Sequence, residues 1–389
     1  MTHQNKRRCD VLHQRVPLLG TGSAVSTGRL NRGMFQTAAH SPQWAWARCL
    51  ALASMVFACG LSASLGADEK NAEKSAAKLI TPAAERSIER ALKWLAARQQ
   101  EDGSFGSGSY RGNVAVCALG GMAMMAGGST PGRGPYGANV NRSIDYLLAS
   151  TQPSGFICGA DASHGPMYGH GFATMFLAEC HGMSRRPELR EKLSKAVKII
   201  VDSQNKQGGW RYQPVRADAD ISVTVCQIMA LRAARNAGLF VPNETIDRSI
   251  DYVKRSQNAD GGFMYRLAEA GVSDFPRSAA AVAALYSAGI YKGPEITKGL
   301  GYLNGFIPAE GVTRRESYYF YGHYYAVQAM WQAGGDRFDR WYAAIRDQLI
   351  SRQSDDGSWQ AAAEGDDCAT AMACIVLEIP NNLLPIFQR

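Results

Sequence analysis

Acidic, histidine and tyrosine side chains recur in this sequence just ahead of apolar helical stretches. Asp218-Ala219-Asp220 forms one group and Asp366-Asp367-Cys368 another. Tyr168-Gly169-His170 and Tyr321-Gly322-His323 repeat one pattern, the second running on into Tyr324 and Tyr325, while Asn113 and Arg277 occupy comparable places. A carboxylic acid held out of water donates protons, an imidazole moves them near neutral pH, and tyrosine ring faces stabilise cations. On these grounds Asp220, Asp218, His170 and His323 are candidate catalytic groups. Tyr168, Tyr321, Tyr324, Asp366, Asp367, Arg277 and Asn113 are candidate substrate contacts. Each type also has a structural use, since Asp and Asn cap helices, His bridges helix ends and aromatics fill cores. The residues alone leave both uses open.

What must position these groups is a repeat. The turn Gln99-Gln100-Glu101-Asp102-Gly103-Ser104-Phe105 returns as Gln152-Pro153-Ser154-Gly155-Phe156, Gln204-Asn205-Lys206-Gln207-Gly208-Gly209-Trp210, Gln257-Asn258-Ala259-Asp260-Gly261-Gly262-Phe263 and Gln353-Ser354-Asp355-Asp356-Gly357-Ser358-Trp359. A degenerate copy, Ile307-Pro308-Ala309-Glu310-Gly311, completes six anchors at 99, 152, 204, 257, 307 and 353. Before each anchor lies an amphipathic stretch such as Ile88, Ala91, Leu92, Leu95, with apolar residues at helical spacing. After it comes a stretch that is apolar nearly all round, as from Val114 to Met125 or Ile221 to Ala234, the pattern of a helix buried on every side. Five of these stretches end in glycine, at Gly127, Gly182, Gly238, Gly289 and Gly334, where a left-handed residue is expected. A helical pair cannot bury its face alone, so six pairs predict a closed ring of inner helices inside a ring of outer ones. The fold class expected is all-α, a six-fold α/α toroid. In such a ring units three apart face each other, which sets the two His/Tyr groups opposite one another, and likewise the two acidic groups.

The turns Gln-x-x-Asp-Gly-Ser-Phe/Trp and Gln-x-x-x-Gly-Gly-Trp resemble the repeat motifs of squalene and oxidosqualene cyclases and of protein prenyltransferase β-subunits, over about residues 78 to 389. The resemblance implies a central cavity opening where the inner helices begin. Asp218-x-Asp220 resembles the Asp-x-Asp-Asp acid motif of class II terpene cyclases, which would make Asp220 the acid, although Ile221 stands in place of the third Asp. No resident cofactor is expected. A weak zinc possibility comes from Asp366, Cys368 and His323, which resemble the prenyltransferase Asp-x-Cys plus His set in reversed chain order. The reading that results is a toroid acting on or binding an apolar isoprenoid chain. A non-catalytic scaffold or binding protein is an alternative, as is a glycan-active toroid using Asp220 and Asp366/Asp367 as an acid/base pair. Diphosphate-binding Asp-Asp-x-x-Asp, a Gly-Cys-Gly-Glu-Gln thioester, a phosphate-cradling glycine loop and a serine nucleophile elbow are all absent.

Charge and cysteine usage narrow the setting. Of the net +8, residues 1 to 48 contribute +6, from seven Lys/Arg against Asp10; from Asp68 onward 35 basic residues face 33 acidic ones. That balance lacks the basic excess of a nucleic-acid binder. Residues 1–67 read as a leader with a signal peptide, its apolar run and cleavage region at about 48–67, followed by a linker over 68–77 and the toroid over 78–389. This predicts a secreted or periplasmic protein with no transmembrane anchor after processing, an uncleaved anchor being the alternative. The expected partner is an apolar small molecule or lipid. Six cysteines follow the leader (Cys117, Cys158, Cys180, Cys226, Cys368 and Cys374), and the apolar helical surroundings of four of them favour free thiols over disulfides.

Overall fold

In the computed structural model the described residues are 78–159, 165–269, 271–309 and 318–388; the expected leader and linker lie outside them. Twelve α-helices occur among these residues. The outer ones are α1 (Pro82–Arg98), α3 (Gly137–Ala149), α5 (Pro187–Ser203), α7 (Asn243–Arg255), α9 (Pro294–Leu303) and α11 (Gly335–Arg352). The inner ones are α2 (Val114–Ala126), α4 (Pro166–His181), α6 (Ile221–Asn236), α8 (Phe275–Ser287), α10 (Tyr319–Ala333) and α12 (Asp366–Glu378). Each inner helix packs on the next, and α12 packs on α2, so the ring closes.

Outer helices bury one stripe each. In α1, Ala91, Leu92 and Leu95 face inward, Thr81 caps the first turn through Ala84 N–H, and Pro82 sits at the first position, where its missing N–H costs nothing. Inner helices are buried all round, and small residues permit this. Alanine in place of Gly121 would press against the Phe176 ring at 2.5 Å, and in place of Gly322 against Phe275 at 2.6 Å. The seam between the ends of the ring is held by Gln353, whose amide donates to Ser87 O at 2.9 Å, and by Trp94 Nε1 donating to Asp356 at 3.1 Å.

The anchors bolt adjacent units together. Gln204 Nε2 donates both to Gly208 O, within its own turn, and to Thr245 O of the next outer helix, each at 2.9 Å. Gln99, Gln257 and Gln353 do the same with Asn139, Glu295 and Ser87. The turn glycine is required twice over. Gly208 has φ +95, and a Cβ there would lie 2.1 Å from Arg248 O.

Three details depart from the sequence reading. In the second repeat Thr151, not Gln152, occupies the anchor position: Gln152 N–H bonds Phe156 O just as Gln100 N–H bonds Ser104 O. The core ring position there is consequently filled by Ile157, fully buried, while Phe156 is only half-buried. Of the five predicted left-handed glycines, Gly238, Gly289 and Gly334 have positive φ; Gly127 and Gly182 do not, and Gly128 takes that role at φ +92. Lastly, α4, α8, α10 and α12 take in the groups expected to precede them, so eight of the eleven candidates lie inside helices. In the degenerate fifth anchor, 310 and 311 lie outside the described residues.

Candidate functional site

A cavity of about 680 Å³ opens at the N-terminal ends of the inner helices. Its walls are mostly apolar and aromatic, with Val116 and Leu119 from α2, Tyr168 and Phe172 from α4, Tyr321 from α10 and Met372 from α12. Four of the eleven candidates line it: Asn113, Tyr168, Arg277 and Tyr321. Asn113 caps α2, its Oδ1 accepting from Ala115 N at 2.8 Å. Arg277 is held by the turn before its own helix, donating to Phe263 O at 2.9 Å and Val272 O at 2.5 Å and pairing with Asp274 at 3.3 Å. It therefore enters the cavity as a fixed positive group. The Tyr321 hydroxyl is buried, and burial beside Cys226 and Asp220 pushes its pKa well up, against a Ser222 hydroxyl that pulls it down. A neutral phenol thus faces an apolar space.

The remaining candidates lie behind or beside that wall. His170 is fully buried; Nδ1 accepts from Ile157 N at 3.1 Å, and Nε2 lies 3.1 Å from Ala196 O. Burial lowers its pKa to about 4, against the Ala196 hydrogen bond. It does for Ile157 what Thr224 does for Trp210 and Thr370 for Trp359, which is to receive the N–H of the core ring position. His170 is therefore a structural histidine. His323, at the matching place in α10, is wrapped by Phe275, Tyr319 and Trp341. Asp218 is half-exposed and pairs with Arg211 at 3.1 Å and Arg266 at 2.5 Å, tying the third turn to the fourth. Asp366 accepts from Ala361 N at 3.0 Å, and buried Asp367 faces Arg98 at 3.5 Å. Tyr324 is fully buried beneath the cavity.

Asp220 takes the capping use with one oxygen and leaves the other over. It caps α6 through Oδ1, which accepts from Val223 N at 2.9 Å. Its Oδ2 is buried with no hydrogen-bond partner. Desolvation raises its pKa to about 6, opposed by the Val223 N–H and the Arg211 guanidinium. It does not line the cavity, but its charge is felt by the wall tyrosines Tyr168, Tyr265 and Tyr321. The zinc set is not assembled: among the described residues no three His, Cys, Asp or Glu side chains come together to hold a metal ion. Cys368 does line the cavity, as a neutral thiol pushed up to about 12 by burial.

Sequence reasoning missed Tyr212, Tyr265, Asp274 and Glu364 on the cavity wall. Tyr212 and Tyr265 each follow a core ring, Trp210 and Phe263, by two residues, so the repeat itself carried the signal. Their hydroxyls lie 2.6 Å apart, with the Arg211 guanidinium 4.8 Å and 5.9 Å from the two ring centroids. Glu364 has one carboxyl oxygen buried without a partner, and burial raises its pKa while the Tyr321 and Phe320 N–H groups lower it.

Two stretches, 72–159 and 137–289, match the family model of the prenyltransferase α/α-toroid domain, together more than half of the chain. A search of curated proteins finds no match to the sequence. Among solved structures, an inactive variant of the α-1,6-mannanase GH76A of Salegentibacter sp. HEL1_6, in complex with α-1,6-mannotriose, superposes with a TM-score of 0.57 at 7% identity, covering 77% of this chain and 99% of that one. The type II terpene cyclase MstE from Scytonema, in complex with geranylgeranyl dihydroxybenzoate, gives a TM-score of 0.55 at 15% identity, covering 78% and 98%. A protein from Actinoplanes gives 0.55 at 16%, covering 76% and 98%. At these identities the likeness is one of fold.

Proposed function

Because this chain belongs to the prenyltransferase α/α-toroid family, we propose that its central cavity takes up an apolar isoprenoid chain. The observation that carries this is the wall itself, apolar and aromatic with a few fixed polar groups, the make-up of a small-molecule site. At about 680 Å³ the cavity falls in the size range of small-molecule pockets. The faces of Tyr168, Tyr212, Tyr265 and Tyr321 suit a chain that carries or develops positive charge. Asp220, the acid the resemblance implies, stands behind those rings and not on the cavity wall, so on this reading its charge acts on the chain through the tyrosines and not by direct contact. We also propose that the leader exports the protein, which N-terminal sequencing of the mature chain tests.

A second reading rests on the two carboxylates that do line the cavity, Asp274 and Glu364. Asp274 pairs with Arg277 while Glu364 is raised by burial, and two carboxyls on one cavity wall are the residue types that acid/base work in a glycan-active enzyme uses. The experiment separating the two is titration of the full chain with farnesol, geranylgeraniol and α-1,6-mannotriose, alongside Ala115→Phe, which fills the cavity. The isoprenoid reading expects prenol binding weakened at least tenfold by the substitution. Prenol binding that ignores Ala115→Phe, or mannotriose binding alone, contradicts it.

A further inference from the structure

The cavity is deep on one side of the ring and shallow on the other. Along α2, α4 and α12 it descends about two turns, to Leu119, Phe172 and Met372, but along α6, α8 and α10 it stops within the first turn, at Ser222, Arg277 and Tyr321. What fills the centre below is aromatic. Tyr325 lies 4.9 Å from Tyr321 and 4.8 Å from Tyr324, ring centre to ring centre, and Tyr324 reaches across to Phe172, which lines the cavity, at 6.4 Å.

A second layer arrives from the other end. After α12 the segment 379–388 turns back against the inner helices, burying Leu384, Ile386 and Phe387. Ile386 N–H donates to the Glu179 carboxylate at 3.2 Å, and the Gln332 amide donates to Phe387 O and Gln388 O, each at 3.2 Å. These bonds come from near the C-terminal ends of α4 and α10, away from the cavity mouth, and hold the Phe387 ring 6.2 Å from Tyr324.

Resting on the isoprenoid reading of the cavity, we infer that Tyr324 and Phe387 form a two-layer floor that sets the longest chain the protein accepts. Tyr324 is the upper layer, and Phe387 supports it and closes the space beneath. The assignment explains why Tyr324 stands out in the sequence yet touches no cavity surface: it limits the ligand by occupying the room a longer one needs. Removing its ring extends the space by roughly one helical turn, about 5.4 Å, close to the length of one isoprene unit. Removing the Phe387 ring alone leaves Tyr324 in place and extends nothing.

The test is the affinity of the full chain for geraniol, farnesol, geranylgeraniol and geranylfarnesol, measured for the unaltered protein, Tyr324→Phe, Tyr324→Ala, Phe387→Ala and the double alanine variant. The unaltered protein is expected to lose at least tenfold in affinity beyond a cut-off length. Tyr324→Phe and Phe387→Ala keep that cut-off, Tyr324→Ala moves it up by one unit, and the double variant moves it further. Should Tyr324→Ala fail to fold, Tyr324→Leu carries the same expectation at a smaller shift. An unchanged cut-off in Tyr324→Ala or Tyr324→Leu, in a variant that still binds, overturns the floor and leaves the cavity reading standing. Failure of every prenol to bind the unaltered protein overturns the cavity reading and the floor with it.

Discussion

Replacing Asp220 with asparagine separates the acid's charge from its capping role. The carboxyl is fully buried, and its pKa rises from 3.8 to about 6 because ionisation there lacks solvent and a partner for Oδ2. Tyr168, Tyr252, Tyr265 and Tyr321 surround it and Arg211 only partly compensates. The sign follows from linkage. A pKa higher in the folded state means the unfolded chain ionises first, so stability falls as pH rises from about 4 to about 6 and stays low above that. The interval from 3.8 to about 6, at 1.36 kcal/mol per pH unit, is about 3 kcal/mol. Asparagine caps a helix about as well as aspartate, so Asp220→Asn is expected to stabilise the protein above pH 7 by up to about 3 kcal/mol and to change little at pH 4. At about 2 °C per kcal/mol for a chain of this size, thermal melts at pH 8 should show a gain of up to roughly 6 °C. Asp220→Ala removes the Val223 cap as well and should recover about 1 kcal/mol less. Melting of the full chain and both variants at pH 4 and pH 8 is the assay. A loss of stability in Asp220→Asn at pH 8, or an equal effect at both pH values, would refute the reasoning.

Further expectations follow from the same packing. Glu378 is buried beside the Cys374 thiol, and desolvation pushes its pKa well up against that thiol's hydrogen bond, so Glu378→Gln should stabilise increasingly as pH rises above 4.5, read from denaturant melts across that range. Gly208→Ala places a Cβ against Arg248 O at positive φ and should cost at least about 1–3 kcal/mol; a neutral result in a urea melt would mean the anchor turn is not tight. Gln204→Ala removes two buried hydrogen bonds, to Gly208 O and Thr245 O, at about 1 kcal/mol each, so a midpoint shift of about 2 kcal/mol is expected in the same measurement.

The ring was legible because its signal is periodic and physical. The anchor glycine cannot be replaced without striking the next outer helix, and the anchor glutamine reaches from one unit to the next. The second repeat was misread by one residue because Thr151 lacks the amide that marks the position and instead turns its hydroxyl back to Leu147 O at 2.8 Å. The site was less legible for a related reason. Asp, His and Asn at helix starts have local backbone partners, and only the fold decides whether a side chain ends its reach there. His170 does, on Ile157 and Ala196; Asn113 caps and still meets the cavity; Asp220 caps with one oxygen and leaves the other buried. Glu364, just ahead of α12, belongs to no repeated pattern, and nothing in its sequence neighbourhood marked it.

A crystal structure of the full chain grown with geranylgeraniol tests most directly whether the cavity at the inner-helix N-termini encloses an apolar chain. One continuous chain of density is expected between the Tyr168 and Tyr321 rings, descending toward Phe172 and ending above Tyr324. An empty cavity beside prenol bound elsewhere, or density in parallel crystals with α-1,6-mannotriose held by Asp274 and Glu364, would contradict it.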